Sequence, residues 1–258
     1  MSALPPLDVH AHIDASVSKR ELEDLGAVVF IATRSISDYE LVKDRDDLVS
    51  VWGVGCHPSL VGVQKAFDSA AFRLAAKGTP FISEVGLDGT SRVAISKQEE
   101  VLRDVLAISD DLGRIVSLHS FEATANLVAL LDGRPLKSGH ILHWWLGDRA
   151  STRKAIELGC YFSVNASMAR NTEVLNDLPL DRILFETDHP SGDRFSSKPR
   201  LPGRVQDVER TLARHYGITE RQVRDQAWRN FAKLVESTCT LGLMPEPVKK
   251  MLLSVKRT

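Results

Sequence analysis

Two histidines near the start of the chain, His10 and His12, lie one residue apart in the segment PPLDVHAHIDAS (residues 5–16). Side chains two residues apart on a β-strand point to the same face, so both imidazoles aim in one direction. A buried imidazole needs a partner for each ring nitrogen, and a divalent metal ion supplies one because neutral imidazole is a common metal ligand. A surface or capping role for the pair is the alternative, and the rest of the chain decides between them.

The elements that would position such a pair alternate along the chain. Nearly continuous apolar runs, typical of parallel strands buried on both faces, are predicted to be strands at residues 7–10, 27–33, 48–55, 80–86, 114–120, 139–144, 160–166 and 182–188. Amphipathic helical patterns lie between them, for example at residues 96–113, where Ser96 and Glu99 predict a capping box, and at residues 149–159, which end on Gly159. This alternation predicts a TIM-like (β/α)8 barrel whose first connecting helix is short.

Further helices are predicted after the eighth strand, at residues 203–216 and 219–236, the second with a capping box of Thr219 and Gln222. The tail at residues 237–258 is predicted to form a short amphipathic basic helix. We expect it to pack on the barrel, with docking to a protein partner as the alternative. The sequence shows no internal repeat or low-complexity linker, which predicts a single domain over residues 1–258.

The polar residues of the predicted barrel gather at the carboxyl-terminal ends of its strands. In a TIM barrel these ends converge on one face, where active sites are built. The residues concerned are His10, His12, His57, Glu84, Asp88, His119, His143, Glu186 and Asp188. Imidazoles and carboxylates buried there are costly without a partner, so their number predicts metal binding.

The count of these residues suits two divalent ions. The first would be held by His10, His12, Glu84 and Asp188, and the second by Glu84, His119 and His143, with Glu84 as the bridge. The mixed nitrogen and oxygen ligands suit Zn²⁺, Mn²⁺ or, less well, Mg²⁺. Two ions about 3.5–4 Å apart can stabilise both the attacking and the leaving oxygen of a hydrolysis.

The composition excludes several classes of protein. A net charge of −1 provides no global attraction to nucleic acids or membranes, so a nucleic-acid substrate would need a local basic patch or the metal ions. The three cysteines form no C-x-x-C pair, which argues against a disulfide framework or a zinc–thiolate site. No apolar run approaches the length of about 20 residues that spans a bilayer, and no secretory pattern precedes the first strand. We therefore expect a cytoplasmic protein without membrane segments.

The chain resembles the TatD-like metal-dependent deoxyribonucleases of the amidohydrolase superfamily over roughly residues 7–235. The resemblance lies in the order and spacing of the blocks DVHAHID, GCHPS, ISEVGLD, VSLHS, ILHWWLG, YFSVNAS, ILFETDHP and WRNFAKL. It implies a TIM-like barrel, a two-metal site and hydrolysis of DNA phosphodiester bonds, often from the 3′ end of a single strand. It also implies that the metal ligands are His10, His12, Glu84, His119, His143 and Asp188, with Asp188 as general base. Many superfamily members bridge their metals with a carbamylated lysine, and Glu84 in its place favours the TatD-like branch.

The predicted rim of the site departs from the resembling family. Phe121 stands where relatives usually carry an arginine, Trp144 and Trp145 change the HCFSG block to HWWLG, and His189 replaces an alanine. These changes leave the ligands intact and alter the surroundings of the substrate. Two alternatives to a nuclease therefore stay open: hydrolysis of a small amide, ester or lactone, and a non-catalytic interaction module that the metals stabilise.

Other residues near the predicted site have more than one interpretation. His57 is predicted to contact a phosphate or the transition state, with loop anchoring as the alternative. Asp88 would orient a ligand histidine, and Trp144 and Trp145 would stack on bases or form the core and the wall. His189 would touch the substrate or be structural. Three rim arginines would replace the missing phosphate contact or remain solvated charges: Arg149, Arg170 and Arg194.

Overall fold

Eight parallel strands form the frame of the molecule, and each predicted apolar run contributes one of them. The computed structural model describes residues 4–134 and 139–255. Neighbouring strands pair in sequence order, which confirms the TIM-like (β/α)8 barrel. The strands are β1 Leu7–Ala11, β2 Val28–Ala32, β3 Ser50–Gly55, β4 Phe81–Asp88, β5 Ile115–Phe121, β6 Gly139–His143, β7 Tyr161–Val164 and β8 Ile183–Phe185.

Helices connect the strands and extend beyond the last one. Those of the barrel are α1 Lys19–Asp24, α2 Ile36–Glu40, α3 Val61–Lys65, α4 Ser69–Lys77, α5 Ile95–Leu112, α6 Thr124–Asp132, α7 Arg149–Glu157 and α8 Thr172–Asn176. Those after β8 are α9 Gln206–Tyr216, α10 Glu220–Ser237 and α11 Glu246–Val255. Within the two described ranges, no helix is both long enough and apolar enough to cross a membrane.

The helix ends agree with the sequence pattern in part. The first connecting helix is short, with 6 residues in α1, and the capping box of Thr219 and Gln222 is present at α10. The capping box predicted at Ser96 and Glu99 is wrong, because α5 already begins at Ile95 with Ala94 as its N-cap. The Gln98 side chain bonds the backbone of Asp88 and Val93 instead, which ties the helix to the end of β4.

The first and last strands are joined by hydrogen bonds near the carboxyl end of the barrel. The Asp188 amide donates to the His10 carbonyl at 2.8 Å, and the His12 amide donates to the His189 carbonyl at 3.1 Å. The fully buried Asp8 carboxylate accepts bonds from the amides of Thr187 at 2.9 Å and Gly203 at 2.7 Å. These contacts link β1 to the segment after β8 at the level where the polar residues gather.

The opposite end of the barrel is closed by the last two helices. Trp228 and Phe231 of α10 are fully buried against apolar residues near the starts of the strands, such as Leu7 and Phe81. Val248 and Leu252 of α11 join the same cluster, so the described part of the tail packs on the barrel. Residues 256–258 of the predicted tail helix lie outside the described residues. Burial of this end leaves the carboxyl end of the strands as the open face.

Candidate metal centre

The six predicted ligand residues come together at the open end of the barrel. His10 and His12 have ring centroids 5.3 Å apart, and the His10 ring stacks on His143 at 4.2 Å. His119 Nδ1 lies 3.2 Å from His143 Nε2, so His119 joins the other three histidines through His143. The parallel strands bring these imidazoles together although they are far apart in the sequence.

Glu84 lies in the middle of this cluster, where its two oxygens face different histidines. Its Oε2 atom is 3.1 Å from His12 Nε2, while its Oε1 atom is 2.9 Å from His57 Nε2 and 3.8 Å from His119 Nδ1. The pairing of β4 with β5 shifts register between Ile82 and Val85, and Glu84 itself has a left-handed φ of 40°. Such irregularities re-aim a side chain at a cost of roughly 1–3 kcal/mol, and they cluster at functional sites.

Asp188 completes the cluster from the end of β8. Its backbone is also left-handed, with φ of 40°, and its Oδ1 atom lies 3.6 Å from His12 Nε2 and 3.9 Å from His10 Nε2. The carboxylate is 5% exposed, and burial raises the pKa of Asp188. A buried carboxylate between imidazoles is an arrangement that a cation stabilises.

The donor atoms fall into three overlapping groups, each with its atoms within 4.8 Å of one another. The groups are His10, His143 and Asp188; His10, His12 and Glu84; and His57, Glu84 and His119. The predicted division between two ions placed His143 with His119 rather than with His10. The structure places His143 between them, stacked on His10 and beside His119.

His10 of β1 and His12, which directly follows that strand, each have a partner on Nδ1. His12 Nδ1 lies 2.9 Å from the Ala32 carbonyl, which can only accept, so Nδ1 carries a proton and Nε2 points toward Glu84. His10 Nδ1 lies 2.7 Å from the Ser117 hydroxyl, and its Nε2 faces Asp188. Outer contacts of this kind fix ring orientation in metal sites.

Glu186 lies in the corresponding position behind His143, at contact distance rather than in a hydrogen bond, and the sequence pattern did not indicate this arrangement. It is fully buried, and its Oε1 atom lies 3.7 Å from His143 Nδ1. The carboxylate accepts bonds from the Trp144 amide at 3.0 Å, from Asn165 Nδ2 at 2.9 Å and from the Ser163 hydroxyl. Burial raises the pKa of Glu186. Ser163 and Asn165 alternate in the YFSVNAS block, and this spacing was the signal available.

The residues present fit a cation at the centre. Two buried atoms that face it, His10 Nε2 and Glu84 Oε2, have no hydrogen-bond partner in the described part of the chain. Burial disfavours charge on His12, yet Glu84 and Asp188 raise the pKa of His12 to about 9. The negative charge of the site therefore attracts a positive one, and imidazole and carboxylate donors suit Zn²⁺ or Mn²⁺.

Asp88 and His57 lie next to the central cluster. Asp88 Oδ2 is 3.7 Å from His119 Nε2, and contacts with His119 and Thr90 hold the pKa of Asp88 below its ordinary value. This is where a carboxylate that orients His119 would lie. His57 Nδ1 accepts the Ser59 amide at 3.1 Å, so the His57 proton lies on Nε2 and points at Glu84.

A cavity of about 1030 Å³ opens over the cluster. Phe121 and Trp144 line it, whereas Trp145 is fully buried and donates from Nε1 to the Thr152 hydroxyl at 2.8 Å.

His189 is not among the lining residues, and its Nδ1 lies 2.7 Å from Asp193 Oδ2, which favours the structural interpretation. The rim arginines also separate, because Arg170 and Arg194 line the cavity and Arg149 does not.

Comparison with known proteins identifies the family. The family described as TatD related DNase matches residues 7–236. The chain belongs to the TatD family. A TatD family relative, the uncharacterized metal-dependent hydrolase YcfH of Escherichia coli K12, is 28% identical over 242 residues, which cover 88% of this chain and 89% of YcfH. The 3′-5′ ssDNA/RNA exonuclease TatD of Edwardsiella piscicida is 31% identical over 119 residues, or 42% of this chain and 45% of that protein.

A solved TatD homologue has the same fold. The crystal structure of YjjV from Escherichia coli K12 superposes with a TM-score of 0.75 at 18% identity, over 88% of this chain and 96% of YjjV. This likeness concerns the fold. Together with the family match and the cluster of metal-binding groups, it makes the chain a metal-dependent hydrolase of the TatD family.

Proposed function

We propose that this TatD family hydrolase cleaves phosphodiester bonds in DNA with two divalent metal ions, preferring single strands and 3′ ends. The position of Glu84 carries the proposal, because its two oxygens face different imidazoles, 3.1 Å from His12 and 3.8 Å from His119. A carboxylate in that position is suited to bridge two ions. The exonuclease activity in the name of the Edwardsiella piscicida relative supports nucleic acid as the substrate.

The residues that would hold the ions are those of the central cluster. His10, His12 and Asp188 with one oxygen of Glu84 would hold the first, and His119 and His143 with the other oxygen would hold the second. Zn²⁺, Mn²⁺ or Mg²⁺ bound there would acidify water and neutralise charge on the oxygens of the scissile bond.

The chain's own side chains supply the proton transfers. Asp188 is the carboxylate exposed to the cavity beside His12, and it would take the proton of the attacking water. His57 carries its proton on Nε2, 2.9 Å from Glu84 Oε1, and lines the same cavity. With Glu84 engaged by the ions, this N–H would donate a hydrogen bond to a substrate oxygen as charge develops there. Ser59 holds the ring in that tautomer. In the proposed mechanism Glu84, Asp188 and His57 are thus the catalytic residues.

The test uses single-stranded DNA labelled at either end, incubated with the protein and Zn²⁺, Mn²⁺ or Mg²⁺, with and without chelator. We expect metal-dependent shortening from the 3′ end. Glu84→Gln and Asp188→Asn should each lower the rate by at least about 100-fold, since each removes a charged group from the transition state. Glu100→Gln, an exposed carboxylate on α5, is the matched control.

Two outcomes would contradict the proposal. Full activity of Glu84→Gln would show that the reaction takes place elsewhere. Faster hydrolysis of a small ester, amide or lactone than of any DNA would favour the alternative substrate class, for which the apolar Phe121 at the rim is the relevant feature. Metal analysis of the purified protein counts the bound ions, so it tests the proposed stoichiometry of two ions separately from activity.

A further inference from the structure

One side of the cavity is built from two arginines and two aromatic rings, which we call the arginine–aromatic wall: Trp144, Arg170, Arg194 and Phe195. Trp144 directly follows β6, Arg170 ends a short 3-10 helix after β7, and the other two follow β8. The Arg170 guanidinium lies 4.2 Å from the Phe195 ring centroid. The Arg194 guanidinium lies 5.3 Å from the same centroid and 5.6 Å from that of Trp144.

The two guanidinium groups have no negative partner among the described residues. Within residues 4–134 and 139–255, neither Arg170 nor Arg194 makes an ion pair or a side-chain hydrogen bond. Arg149 differs, because it is bound to Asp177 at 2.9 Å and lies off the cavity. Two like charges gathered on one ring repel each other, and an anion between them would relieve that repulsion. Planar guanidinium groups bind phosphate oxygens with paired hydrogen bonds.

The two aromatic members of the wall differ in exposure. Phe195 is 53% exposed, whereas Trp144 is half-buried and packs in part against the core. Both line the cavity, as does the 46% exposed Phe121 outside the wall. Phe121 and Phe195 are both exposed on the same cavity, and apolar surface gathered at a groove is typical of ligand-binding sites. Nucleobases stack on such rings, and neighbouring guanidinium groups take the adjoining phosphates.

We infer that the arginine–aromatic wall binds the nucleotide next to the scissile bond. Arg170 and Arg194 hold the phosphate adjacent to the one that is cleaved, and Trp144 and Phe195 stack on the neighbouring base. Only an unpaired base can present its face to these rings, so the wall selects single-stranded oligonucleotides over both duplexes and small phosphodiesters. The inference rests on the proposed function, since it places a nucleic-acid strand in the same cavity.

The test compares the double variant Arg170→Ala/Arg194→Ala with wild type and with the control Arg149→Ala. Two substrates are hydrolysed: a short single-stranded DNA and bis(p-nitrophenyl) phosphate, which has no second phosphate. Removal of two charge-assisted hydrogen-bonding groups should lower kcat/KM for DNA about 100-fold, mainly through KM. The fold decrease in kcat/KM for the small phosphodiester should be at least about ten times smaller than that for DNA. Arg149→Ala should behave as wild type toward both substrates.

Binding is measured separately by fluorescence anisotropy of the labelled DNA in chelator, where nothing is cleaved. The slope of log affinity against log salt should fall by about 0.7 for each phosphate that the double variant can no longer neutralise. Phe195→Ala should weaken binding without changing the slope, because stacking releases no counterions. Arg170→Lys/Arg194→Lys keeps the charge and should restore most of the slope, which a purely structural role would not require.

The outcomes separate the two claims. If wild type binds DNA through the arginines but cleaves neither phosphodiester, the proposed function fails and the wall stands. If wild type cleaves DNA and the double variant matches Arg149→Ala in kinetics and salt slope, the inference is wrong and the proposed function stands. Equal decreases for DNA and for bis(p-nitrophenyl) phosphate would also overturn it, because the wall would then not recognise a second phosphate.

Discussion

Replacing Glu186 by glutamine tests whether the buried carboxylate behind His143 sets the affinity for metal. The amide keeps the shape of the side chain, and its oxygen can still accept from the Trp144 amide and from Asn165. Its NH₂ group can donate to the Ser163 hydroxyl, which rotates to accept. Because the hydrogen bonds are retained, we expect the free energy of unfolding of the metal-free protein to change by about 1 kcal/mol or less.

What the substitution removes is an ionisable carboxyl group 3.7 Å from His143 Nδ1. Loss of a carboxylate that orients a ligand histidine typically lowers metal affinity by about 10–100-fold, or about 1.4–2.7 kcal/mol. Titration calorimetry of Zn²⁺ and Mn²⁺ into metal-free protein measures this change directly. Urea unfolding of the same samples measures stability, so the two effects are obtained independently.

Glu209→Gln is the matched control, because Glu209 is equally buried but pairs with Arg224 at 2.7 Å on the helices after β8. Breaking that pair should cost about 2 kcal/mol of stability and leave the metal affinity of the folded protein unchanged. The two variants should therefore show opposite patterns. If Glu186→Gln binds metal like wild type, or loses affinity only as far as it loses stability, Glu186 does not orient His143.

Three further substitutions test the frame of the site. Gly86→Ala would put a Cβ 2.0 Å from the His119 carbonyl at φ of 146°, so urea unfolding should show a loss of about 3 kcal/mol or more. Leu252→Ala should cost about 2–4 kcal/mol in the same assay, while the 48% exposed Leu253 should cost less than about 0.5 when truncated. Burial lowers the pKa of His140 from 6.5 to about 4. His140 in the unfolded chain therefore binds a proton at higher pH than in the folded protein. Between pH 7 and 4 the free energy of unfolding of wild type should fall by about 3 kcal/mol more than that of His140→Asn. Equal decreases would contradict this.

The strands could be predicted because burial on both faces leaves a readable apolar run in the sequence. The prediction and the structure differ at strand ends next to the site, where the backbone leaves the hydrogen-bonded sheet. β6 was predicted to include Trp144 and β8 to include Asp188, yet both residues have left-handed φ angles and lie outside the strands. An apolar run does not indicate where a backbone turns, since these residues are not glycines.

That the predicted ligand residues lie close together could also be predicted, from their places at the strand ends, but the groups that contact them from behind could not. Ser117 touches His10 from a distant strand, and Glu186 lies behind His143, which belongs to another strand. Such contacts depend on strand register and on which face each residue takes, and neither leaves a local pattern. The arginines of the rim posed the same problem, because only the fold shows that Arg149 has Asp177 as its partner.

The strained residues of the site lie at one end of this barrel, and the closely packed helices after β8 lie at the other. Glu84, Trp144 and Asp188 all adopt left-handed backbone at the carboxyl ends of alternate strands, at roughly 1–3 kcal/mol each. The amino ends are packed around Trp228 and Phe231, each of which is fully buried. Truncation of a buried aromatic residue costs about 3–5 kcal/mol, so this end can offset the strain of the other. Relaxing Glu84 would therefore stabilise the chain only by withdrawing its carboxylate from the histidines, and the geometry of the centre depends on the rigidity of the far end.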